Sequence, residues 1–583
     1  MRVVLVGAEL EENIGLRYMA SALEASGHAA DIVPFNAGRD AAEAVRQVLA
    51  LRPDVVGLSM VFTSRGREFC RLAADLRDAG FTGHLIGGGH FAALNAERLL
   101  ADWPAFDSIA LGEGEGIITD LAADPDHPER VPGLCYRALD QTILRTPARG
   151  NPDTLDALPF PKRTTFHRYF DKPIASVLSS RGCWRDCAFC SINAWYTSGG
   201  GKKFRLRSVD NIVREMAELY HAHGVRIFNF QDDNFFLPEP GRAVRRFEEL
   251  RDGLHAAGVG RIAIAVKARP DSITRDAVRV LDELGLFRVF LGVENASERG
   301  LAALNRHCTV DAILDALRVL NDFDVHVAYN LLMWELDTTL DDLLVNLRFM
   351  GRYVENPANF CRAEAYEGTG LAAKLRAAGC LEGDYFGFDY RLRDPRAEAL
   401  HQIANFAFFD RNFSDDGLHY FNMQVDFMYQ LLRRFHPELV SEGLRADVRN
   451  FIKRTNLDTF ACLARIYDYA AAADPADTPG LWRFAEQVRQ RVDAASDGLR
   501  AEGERLLDRM QRLYDERDGP RAGLPASTAD MEEAPGGAAA RPAPAQAAEP
   551  AAAMLQHASV IDWLGLGGRP VPYEDFKRRM ADA

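Results

Sequence analysis

Several features that would place a protein in a membrane or outside the cell are missing from this sequence. No stretch approaches the roughly 20 consecutive apolar residues that a membrane-spanning helix needs. The first residues lack the basic end and the long apolar core of a secretory signal. The nine cysteines are spread thinly outside one cluster and do not form the pattern of a disulfide scaffold. We therefore expect a cytoplasmic protein with no membrane partner.

A large basic tract is also missing. Asp and Glu number 84 against 69 Lys and Arg, which gives a formal charge of −15 and argues against nonspecific binding to nucleic acid. A small molecule or a peptide is then the expected partner. The 583 residues, 47% of them hydrophobic, are enough for a large core and for two or more domains.

Three of the nine cysteines, Cys183, Cys187 and Cys190, stand within eight positions, directly after a predicted buried strand. Thiolates in this number suit zinc or an iron-sulfur site. Structural zinc takes four protein ligands, and the neighbouring histidines, His167 and His221, lie in other predicted elements. A 4Fe-4S cluster held by three cysteines leaves one iron open for chemistry. The spacing therefore favours such a cluster over zinc or over unligated core cysteines.

Short apolar runs alternate with helical patterns over residues 1–125, which predicts a Rossmann-like, doubly wound α/β domain of five parallel strands. Ligands of such sheets bind beyond the carboxyl ends of the strands. This edge carries "ELEENIG", "SMVFTSR", "GGGH" and "GEGE". Glycines allow close approach of the backbone to a bulky ligand, although the triple glycine alone is equally compatible with a tight turn.

Strands and helices alternate again over residues 170–378, as in a partial (β/α)6 barrel. Reactive groups of such barrels lie at the carboxyl ends of the strands. Polar residues follow the second, third and fourth of these strands: Gln231, Asp232, Asp233, Asn234, Lys267, Arg269, Glu294 and Asn295. The alternative for Asp232 and Asp233 is a capped turn, and for Arg269 and Glu294 a structural ion pair.

The other parts of the chain connect or cover these two domains. Residues 126–169 read as a connecting segment with a short hairpin, and residues 379–518 as a helical domain over the barrel mouth. The aromatic residues of this helical domain are mostly expected in the core, and Trp334, Tyr366, Phe386 and Tyr390, from the barrel and the helical domain, are the pocket candidates. Residues 519–555 form an Ala/Pro-rich stretch that we expect to be disordered, and residues 556–583 form a tail with apolar anchors.

The first domain resembles a cobalamin-binding domain in the order of its strands and loops. When Gly15 is matched to the glycine of that family's Asp-x-His-x-x-Gly motif, Leu10 and Glu12 take the aspartate and histidine positions. The resemblance thus implies cobalamin without a histidine ligand from this loop; a degenerate domain that binds no cobalamin is the alternative. The implied contacts are Glu12, Asn13, Gly15, Ser59, Met60, Phe62, Thr63, Arg65, Gly87, Gly88, Gly89, His90, Gly112, Glu113, Gly114 and Glu115. Among these, Met60, Phe62, Thr63 and Arg65 are candidates to lie under the lower face of the corrin.

The cysteine spacing, with Phe189 before the last cysteine, resembles the radical S-adenosylmethionine (SAM) superfamily. In that family SAM chelates the open iron, and its reductive cleavage gives a 5′-deoxyadenosyl radical. The resemblance places Gln231, Asp232 and Asp233 near the SAM amino group, Arg269 near its carboxylate and Glu294 near the ribose, with Phe189 also in contact. An ammonium favours carboxylates or carbonyls, and a carboxylate favours a guanidinium.

A cobalamin domain followed by this core is the arrangement of cobalamin-dependent radical SAM enzymes, most of which are methyltransferases. The resemblance implies methylation of an unactivated carbon, or of phosphorus, in a small-molecule or peptide substrate of a biosynthetic pathway, through methylcobalamin and the adenosyl radical. An electron donor such as flavodoxin or ferredoxin is implied as well. Two alternatives stay open: a rearrangement, ring contraction or oxidative cyclisation without methylation, and a noncatalytic cobalamin or iron-sulfur sensor.

Overall fold

The computed structural model describes residues 1–10, 12–414 and 417–517. The predicted linker at 519–555 and the tail at 556–583 lie outside the described residues. No helix in the described part combines the length and the hydropathy that crossing a bilayer requires.

The N-terminal domain is a seven-stranded sheet with helices on both faces. Its elements in chain order are β1 (Arg2–Gly7), α1 (Ile14–Ala25), β2 (Ala29–Pro34), α2 (Ala41–Ala50), β3 (Val55–Ser59), α3 (Gly66–Asp78), β4 (His84–Gly88), α4 (His90–Leu94), α5 (Ala96–Asp102), β5 (Ser108–Ala110), α6 (Gly114–Ala123), β6 (Leu134–Arg137) and β7 (Ile143–Arg145).

The strand order is β2-β1-β3-β4-β5-β6-β7, and the first five strands are parallel. The apolar run of β1 is buried from Val3 to Val6, as expected of a parallel strand covered on both faces. The hairpin β6–β7 pairs antiparallel with β5. The sheet therefore continues to residue 145, past the predicted domain boundary at 125.

The second domain is built on β8 (Arg168–Tyr169), β9 (Lys172–Val177), β10 (Ser180–Arg181), α7 (Ser191–Gly199), β11 (Arg205–Leu206), α8 (Val209–His223), β12 (Ile227–Phe230), α9 (Pro240–Ala256), β13 (Ala263–Ala268), α10 (Arg275–Leu284), β14 (Leu286–Glu294), α11 (Glu298–Ala303), α12 (Val310–Asp322), β15 (His326–Trp334), α13 (Leu340–Arg352) and β16 (Ala358–Arg362).

Six of these strands, β9 and β12 to β16, pair in parallel in the order of the chain, with β8 added antiparallel at the edge. Their largest hydrophobic cluster lies between the strands and the surrounding helices. The predicted α/β class is confirmed: a Rossmann-like domain, a partial (β/α)6 barrel and a mostly helical C-terminal part.

The remaining elements are α14 (Gly370–Ala377), β17 (Glu382–Asp384), β18 (Gly387–Asp389), α15 (Pro395–Ala407), α16 (Phe409–Phe413), α17 (Leu418–Phe435), α18 (Glu442–Ala472) and α19 (Thr478–Glu516). Helix α17 lies at the amino ends of the barrel strands, where Asp426 contacts His326 and Phe427 contacts Phe287. This helix therefore closes the bottom of the barrel, whereas the sequence suggested a cover over its mouth.

The hairpin β17–β18 extends from the barrel to the N-terminal domain. Tyr385 donates a hydrogen bond to Asp102 at 2.8 Å, and Phe386 packs on Phe91 and Trp103. An ion pair between Arg67 and Asp384 adds to this contact. The carboxyl ends of both sheets are thereby held facing each other.

Buried ion pairs also join the two domains. Arg181 pairs with Glu115 at 2.5 Å and lies 3.3 Å from Glu113, which Arg205 also contacts. A second group joins Glu12 to Arg163, and Arg163 to Glu215. We call these contacts the interdomain ion pairs. All the side chains involved are at most a tenth exposed, so each charge depends on its partner.

Candidate functional site

Two cavities meet where the carboxyl ends of the two sheets face each other. The larger, of about 460 Å³, contains the three clustered cysteines, and we call it the cysteine cavity. The smaller, of about 270 Å³, is lined by glycines of the N-terminal domain, and we call it the glycine cavity. They share the lining residues Asn13, Ile14, Val61, His90, Leu178, Gln231 and Asp233. Molecules bound in the two cavities would therefore lie next to the same residues.

The cysteine loop is fixed by backbone contacts. Gly182, just before Cys183, has a φ of +83°, and a Cβ there would lie 1.7 Å from the carbonyl oxygen of Lys203. Its N–H donates to Asp233 at 3.0 Å. Further along, Ala188 donates to the carbonyl of Leu304 at 2.9 Å. The glycine is thus required by this close approach.

The three thiols fit a metal cluster better than a single metal ion. Among the described residues, no group of three His, Cys, Asp or Glu converges as the ligands of one ion do. Cys183, Cys187 and Cys190 instead line one cavity. The ligands of a four-iron cluster bind different irons, so they stand farther apart than ligands of one ion. A soft, all-sulfur set suits iron-sulfur clusters.

The protonation of these thiols also depends on a bound positive charge. Burial raises the pKa of Cys183 to about 11 and raises the pKa of Cys190 as well. Both thiols are therefore neutral in the empty protein at neutral pH, and metal binding would release their protons. The sulfur of Cys187 accepts hydrogen bonds from Arg306 at 3.2 Å and from Arg269 at 3.5 Å.

The structure brings five of the six predicted SAM contacts to the cysteine cavity: Phe189, Gln231, Asp233, Arg269 and Glu294. The Oε1 of Gln231 is buried without a hydrogen-bond partner, and a buried acceptor of this kind is costly unless a ligand donates to it. Burial raises the pKa of Asp233, against the opposing charge of Lys267. The unpartnered oxygen of Gln231 and the carboxylate of Asp233 are hydrogen-bond acceptors that suit the ammonium group of SAM.

Asp232, the sixth predicted SAM contact, is not among the residues that line either cavity. Its carboxylate is fully buried and accepts hydrogen bonds from the N–H and hydroxyl of Ser179 and from the hydroxyl of Ser180. These contacts hold the segment that precedes the cysteine loop. The local geometry thus gives Asp232 a structural role, although its partners are Ser179 and Ser180 rather than the capped turn named as the alternative.

Glu294 reaches the cavity through an irregularity at the end of β14. The pairing register with β15 shifts between Leu291 and Glu294, and Glu294 has a φ of +64°. Such a conformation is uncommon outside glycine and is often found at functional sites. Burial raises the pKa of Glu294, and the charges of Arg306 and Arg269 oppose that rise. Glu294 lies 3.9 Å from Arg306 rather than in a close ion pair with Arg269.

Most of the predicted cobalamin contacts line a cavity. Phe62, Thr63 and Glu12 line the cysteine cavity, and Asn13 and His90 line both cavities. Those that line the glycine cavity alone are Gly15, Ser59, Gly87, Gly88, Gly89, Gly112, Glu113, Gly114 and Glu115.

Met60 and Arg65 do not reach either cavity. Met60 is fully buried in the core of the N-terminal domain. Arg65 donates to the carbonyl of Phe35 at 2.9 Å and pairs with Glu68 at 3.0 Å. Of the four candidates for the lower face of the corrin, the structure therefore leaves Phe62 and Thr63 beside the cavities.

The carboxylates of Glu12, Glu113 and Glu115 are held by the interdomain ion pairs. Glu12 also accepts a hydrogen bond from the N–H of Ser176 at 2.7 Å. Although these residues line the cavities, their charges are directed to arginines, so they shape the walls of the site.

Two further residues of the site were not predicted from the sequence. Trp195, on the helix that follows Cys190, lines the glycine cavity, and its Nε1 is buried without a partner. Its ring meets the edge of His90 with centroids 4.4 Å apart. Asn95 lines the cysteine cavity, and its Oδ1 is likewise buried without a partner. The signal for Trp195 was its place one helical turn past the cluster.

Of the four aromatic pocket candidates, Tyr366 lines the cysteine cavity. Trp334, Phe386 and Tyr390 are buried in the core.

The unpartnered donor of Trp195 and the glycine-lined walls suit a large ligand that carries many hydrogen-bonding groups, as the amide-rich corrinoid does.

Comparison with known proteins agrees with this arrangement. The B12 binding domain matches residues 3–122, and the Radical SAM superfamily matches residues 177–343. An uncharacterized methyltransferase of Pyrococcus horikoshii is 22% identical over 61% of this chain and 77% of its own length. An anaerobic magnesium-protoporphyrin IX monomethyl ester cyclase of Synechocystis is 27% identical over 45% of this chain and 52% of its own length. The chain thus spans between half and about three quarters of these relatives.

A solved structure shows a similar fold. The radical SAM methyltransferase TsrM of Kitasatospora setae, with cobalamin and a [4Fe-4S] cluster bound, is 16% identical over 65% of this chain and 75% of its own, with a TM-score of 0.56. The two matched domains indicate a 4Fe-4S cluster, SAM and cobalamin as the cofactors. The chain thus carries a B12 binding domain followed by a radical SAM domain, and in this order of domains it is similar to cobalamin-dependent radical SAM methyltransferases.

Proposed function

We propose that the protein methylates an unactivated carbon, or phosphorus, of a small molecule or a peptide in a biosynthetic pathway. The observation that carries this proposal is the shared wall of the two cavities, which lets one substrate lie against both cofactor sites. Holding reacting groups in contact is a large part of catalysis.

The bound cofactors supply the hard chemistry, a radical from SAM at the cluster and a methyl group from cobalamin. The residues of this chain bind and orient. Gln231 and Asp233 offer oxygen atoms to the SAM ammonium, and Arg269 offers a guanidinium to its carboxylate. Glu294 can accept hydrogen bonds from the ribose hydroxyls.

The walls of the cysteine cavity that come from the N-terminal domain and the β17–β18 hairpin are mainly apolar. Phe62, Phe91, Leu94, Tyr385 and Phe388 contribute to them. Such walls exclude water from a reactive intermediate. We propose that the substrate contacts these residues and donates a hydrogen bond to Asn95, whose buried oxygen has no partner.

The reductive cleavage of SAM needs an external electron. We propose a one-electron protein donor such as a flavodoxin or a ferredoxin.

The proposal is tested by anaerobic turnover of the reconstituted full chain with methyl-labelled SAM and candidate substrates from neighbouring biosynthetic genes. The expected result is labelled product together with 5′-deoxyadenosine. A preparation that carries cluster and cobalamin but forms no 5′-deoxyadenosine, even in abortive turnover, would contradict an enzymatic role.

A second candidate is cyclisation or rearrangement without methylation, favoured by the cyclase relative. The same assay separates the two functions, because a cyclase would form 5′-deoxyadenosine and an altered product that carries no label. Omitting cobalamin provides a further control.

A further inference from the structure

The loop between α11 and α12 places a buried guanidinium against one of the cluster cysteines. Arg306 is 5% exposed, and its Nη1 donates to Sγ of Cys187 at 3.2 Å. Its Nη2 donates to the carbonyl of Gly292 and lies 3.9 Å from Glu294. Arg306 lies 119 positions from this cysteine in the sequence, so no local motif connects the two residues.

A second guanidinium supports the first. Arg269 donates to the same sulfur at 3.5 Å and to the carbonyl of Arg306, while Asp271 fixes its Nε at 2.9 Å. In the described part of the chain, no guanidinium donates to the sulfur of Cys183 or Cys190. The positive charge is therefore directed to one cysteine of the three.

We propose that Arg306 is a positioning residue that raises the reduction potential of the cluster by placing a charged hydrogen bond on Cys187. One-electron reduction makes a cluster more negative, so a fixed positive charge and a hydrogen bond to a ligand sulfur stabilise the reduced form. Burial strengthens both effects, because the effective dielectric constant is low there. This proposal rests on the cluster and does not require methyl transfer.

A purely structural role for Arg306 is the alternative, since its bond to Gly292 also ties the loop to β14. The two roles differ in what they change. Loss of a structural tie would lower the cluster content or the stability, whereas loss of the charge would move the potential of a cluster that is fully present.

The test is a potentiometric titration of the anaerobically reconstituted full chain, with the reduced cluster followed by electron paramagnetic resonance. Wild type is compared with Arg306→Gln, Arg306→Lys and Arg299→Gln. Arg299 is the matched control, because it lies on the adjacent α11 with its side chain 55% exposed and paired with Asp342. Iron and sulfide contents are measured in each sample.

We expect a more negative midpoint potential for Arg306→Gln at full iron content. Arg306→Lys keeps the charge but not the two-pronged donor geometry. Its midpoint potential should lie between those of Arg306→Gln and wild type. Arg299→Gln should match wild type. A fully loaded Arg306→Gln protein with an unchanged or more positive midpoint would overturn the proposal.

If Arg306→Gln does not retain its cluster, Arg306→Met replaces it as the neutral variant, because a midpoint below wild type supports the proposal and an equal midpoint overturns it. The methyl-transfer assay gives a separate answer. A protein that transfers no methyl group can still show the shift, and an active methyltransferase can fail to show it.

Discussion

The two sheet edges that face each other build their sites by opposite means. The edge of the N-terminal domain presents glycines and leaves room, whereas the edge of the barrel presents cysteines and charged side chains. A ligand of the first site would be recognised by shape and backbone groups, and a ligand of the second by charge and metal bonds. We therefore expect added side-chain atoms to weaken ligand binding at the edge of the N-terminal domain. Removal of charges or sulfur atoms should weaken binding at the edge of the barrel.

The largest expected effect is on the barrel edge. Replacing Cys183, Cys187 and Cys190 together by Ala should abolish the iron-sulfur absorption, because the cluster loses all its protein ligands. Cobalamin should be retained, since its site lies mainly on the other edge. Visible absorption spectra of the anaerobically reconstituted protein and bound-corrin analysis measure both. Persistence of the iron-sulfur absorption would contradict the cluster assignment.

The next effect is on the glycine edge. A Cβ on Gly88 would make an ordinary 3.6 Å contact with Ala110, which lines the glycine cavity. A larger side chain, in Gly88→Leu, should fill the cavity and weaken cobalamin binding by about 10- to 100-fold, since overpacking costs about 1–3 kcal/mol. Equilibrium dialysis measures this change, and the cluster content should not change.

Gly83→Ala is the control for this edge, because Gly83 lines neither cavity. Its Cβ would lie 2.4 Å from the carbonyl oxygen of Asp54. This variant should lose about 1–3 kcal/mol of unfolding free energy in urea. Equal cobalamin affinity in wild type and Gly88→Leu would show that the cavity does not hold the corrinoid.

Neighbouring aspartates on the barrel edge offer a finer comparison. Asp233→Asn should weaken SAM binding by about 10- to 100-fold, because a charged hydrogen bond contributes about 1.5–3 kcal/mol. Asp232→Asn should instead lower the unfolding free energy by about 1–3 kcal/mol, since its hydrogen bonds to Ser179 and Ser180 are buried. Dialysis measures SAM binding, and urea unfolding measures the stability of each variant. If Asp232→Asn weakened SAM binding and Asp233→Asn lowered only the stability, the roles assigned to the two aspartates would be reversed.

The smallest effect concerns the boundary between the edges. Burial opposes ionisation of Glu115, but Arg181 and further hydrogen bonds outweigh it, so its pKa lies below the ordinary 4.5. A lowered pKa stabilises the folded protein above the unfolded value, and this stability is lost as the pH falls through the folded pKa. Glu115→Gln should lower the melting temperature by about 2–4 °C at neutral pH.

The pH dependence provides the check on this prediction. The difference between wild type and Glu115→Gln should be constant above about pH 5.5 and should shrink below pH 4.5. Glu43→Gln, which removes an exposed carboxylate of α2, should show no comparable difference. A wild-type advantage that grows on acidification would contradict the ion-pair explanation.

The sequence was sufficient for the fold and for the side of each sheet that carries the site. Alternating apolar runs and helical patterns predicted the five and six parallel strands, and the rule that ligands bind at carboxyl ends led to Gln231, Asp233, Arg269 and Glu294. These signals are local, because periodicity and strand order can be read without knowledge of distant contacts.

The sequence could not tell which of two adjacent residues faces a cavity once the regular strand has ended. Asp232 and Asp233 follow β12, where the backbone no longer alternates regularly. Ion pairs between residues that are distant in the sequence could not be predicted either: Arg181 lies 66 positions from Glu115, and Arg205 lies 92 positions from Glu113. The burial of Met60 and the contacts of Arg65 could not be predicted for the same reason, because their surroundings come from separate strands and helices.

The interdomain ion pairs have a consequence for how this protein can be divided or recombined. Either domain produced alone would expose one half of a complementary set of charges, with Glu12, Glu113 and Glu115 on one fragment and Arg163, Arg181 and Arg205 on the other. A chimera that takes its corrinoid domain from one relative and its barrel from another must therefore exchange both sets together. Matching charges at this boundary, rather than similarity in the cofactor sites, should decide which chimeras fold.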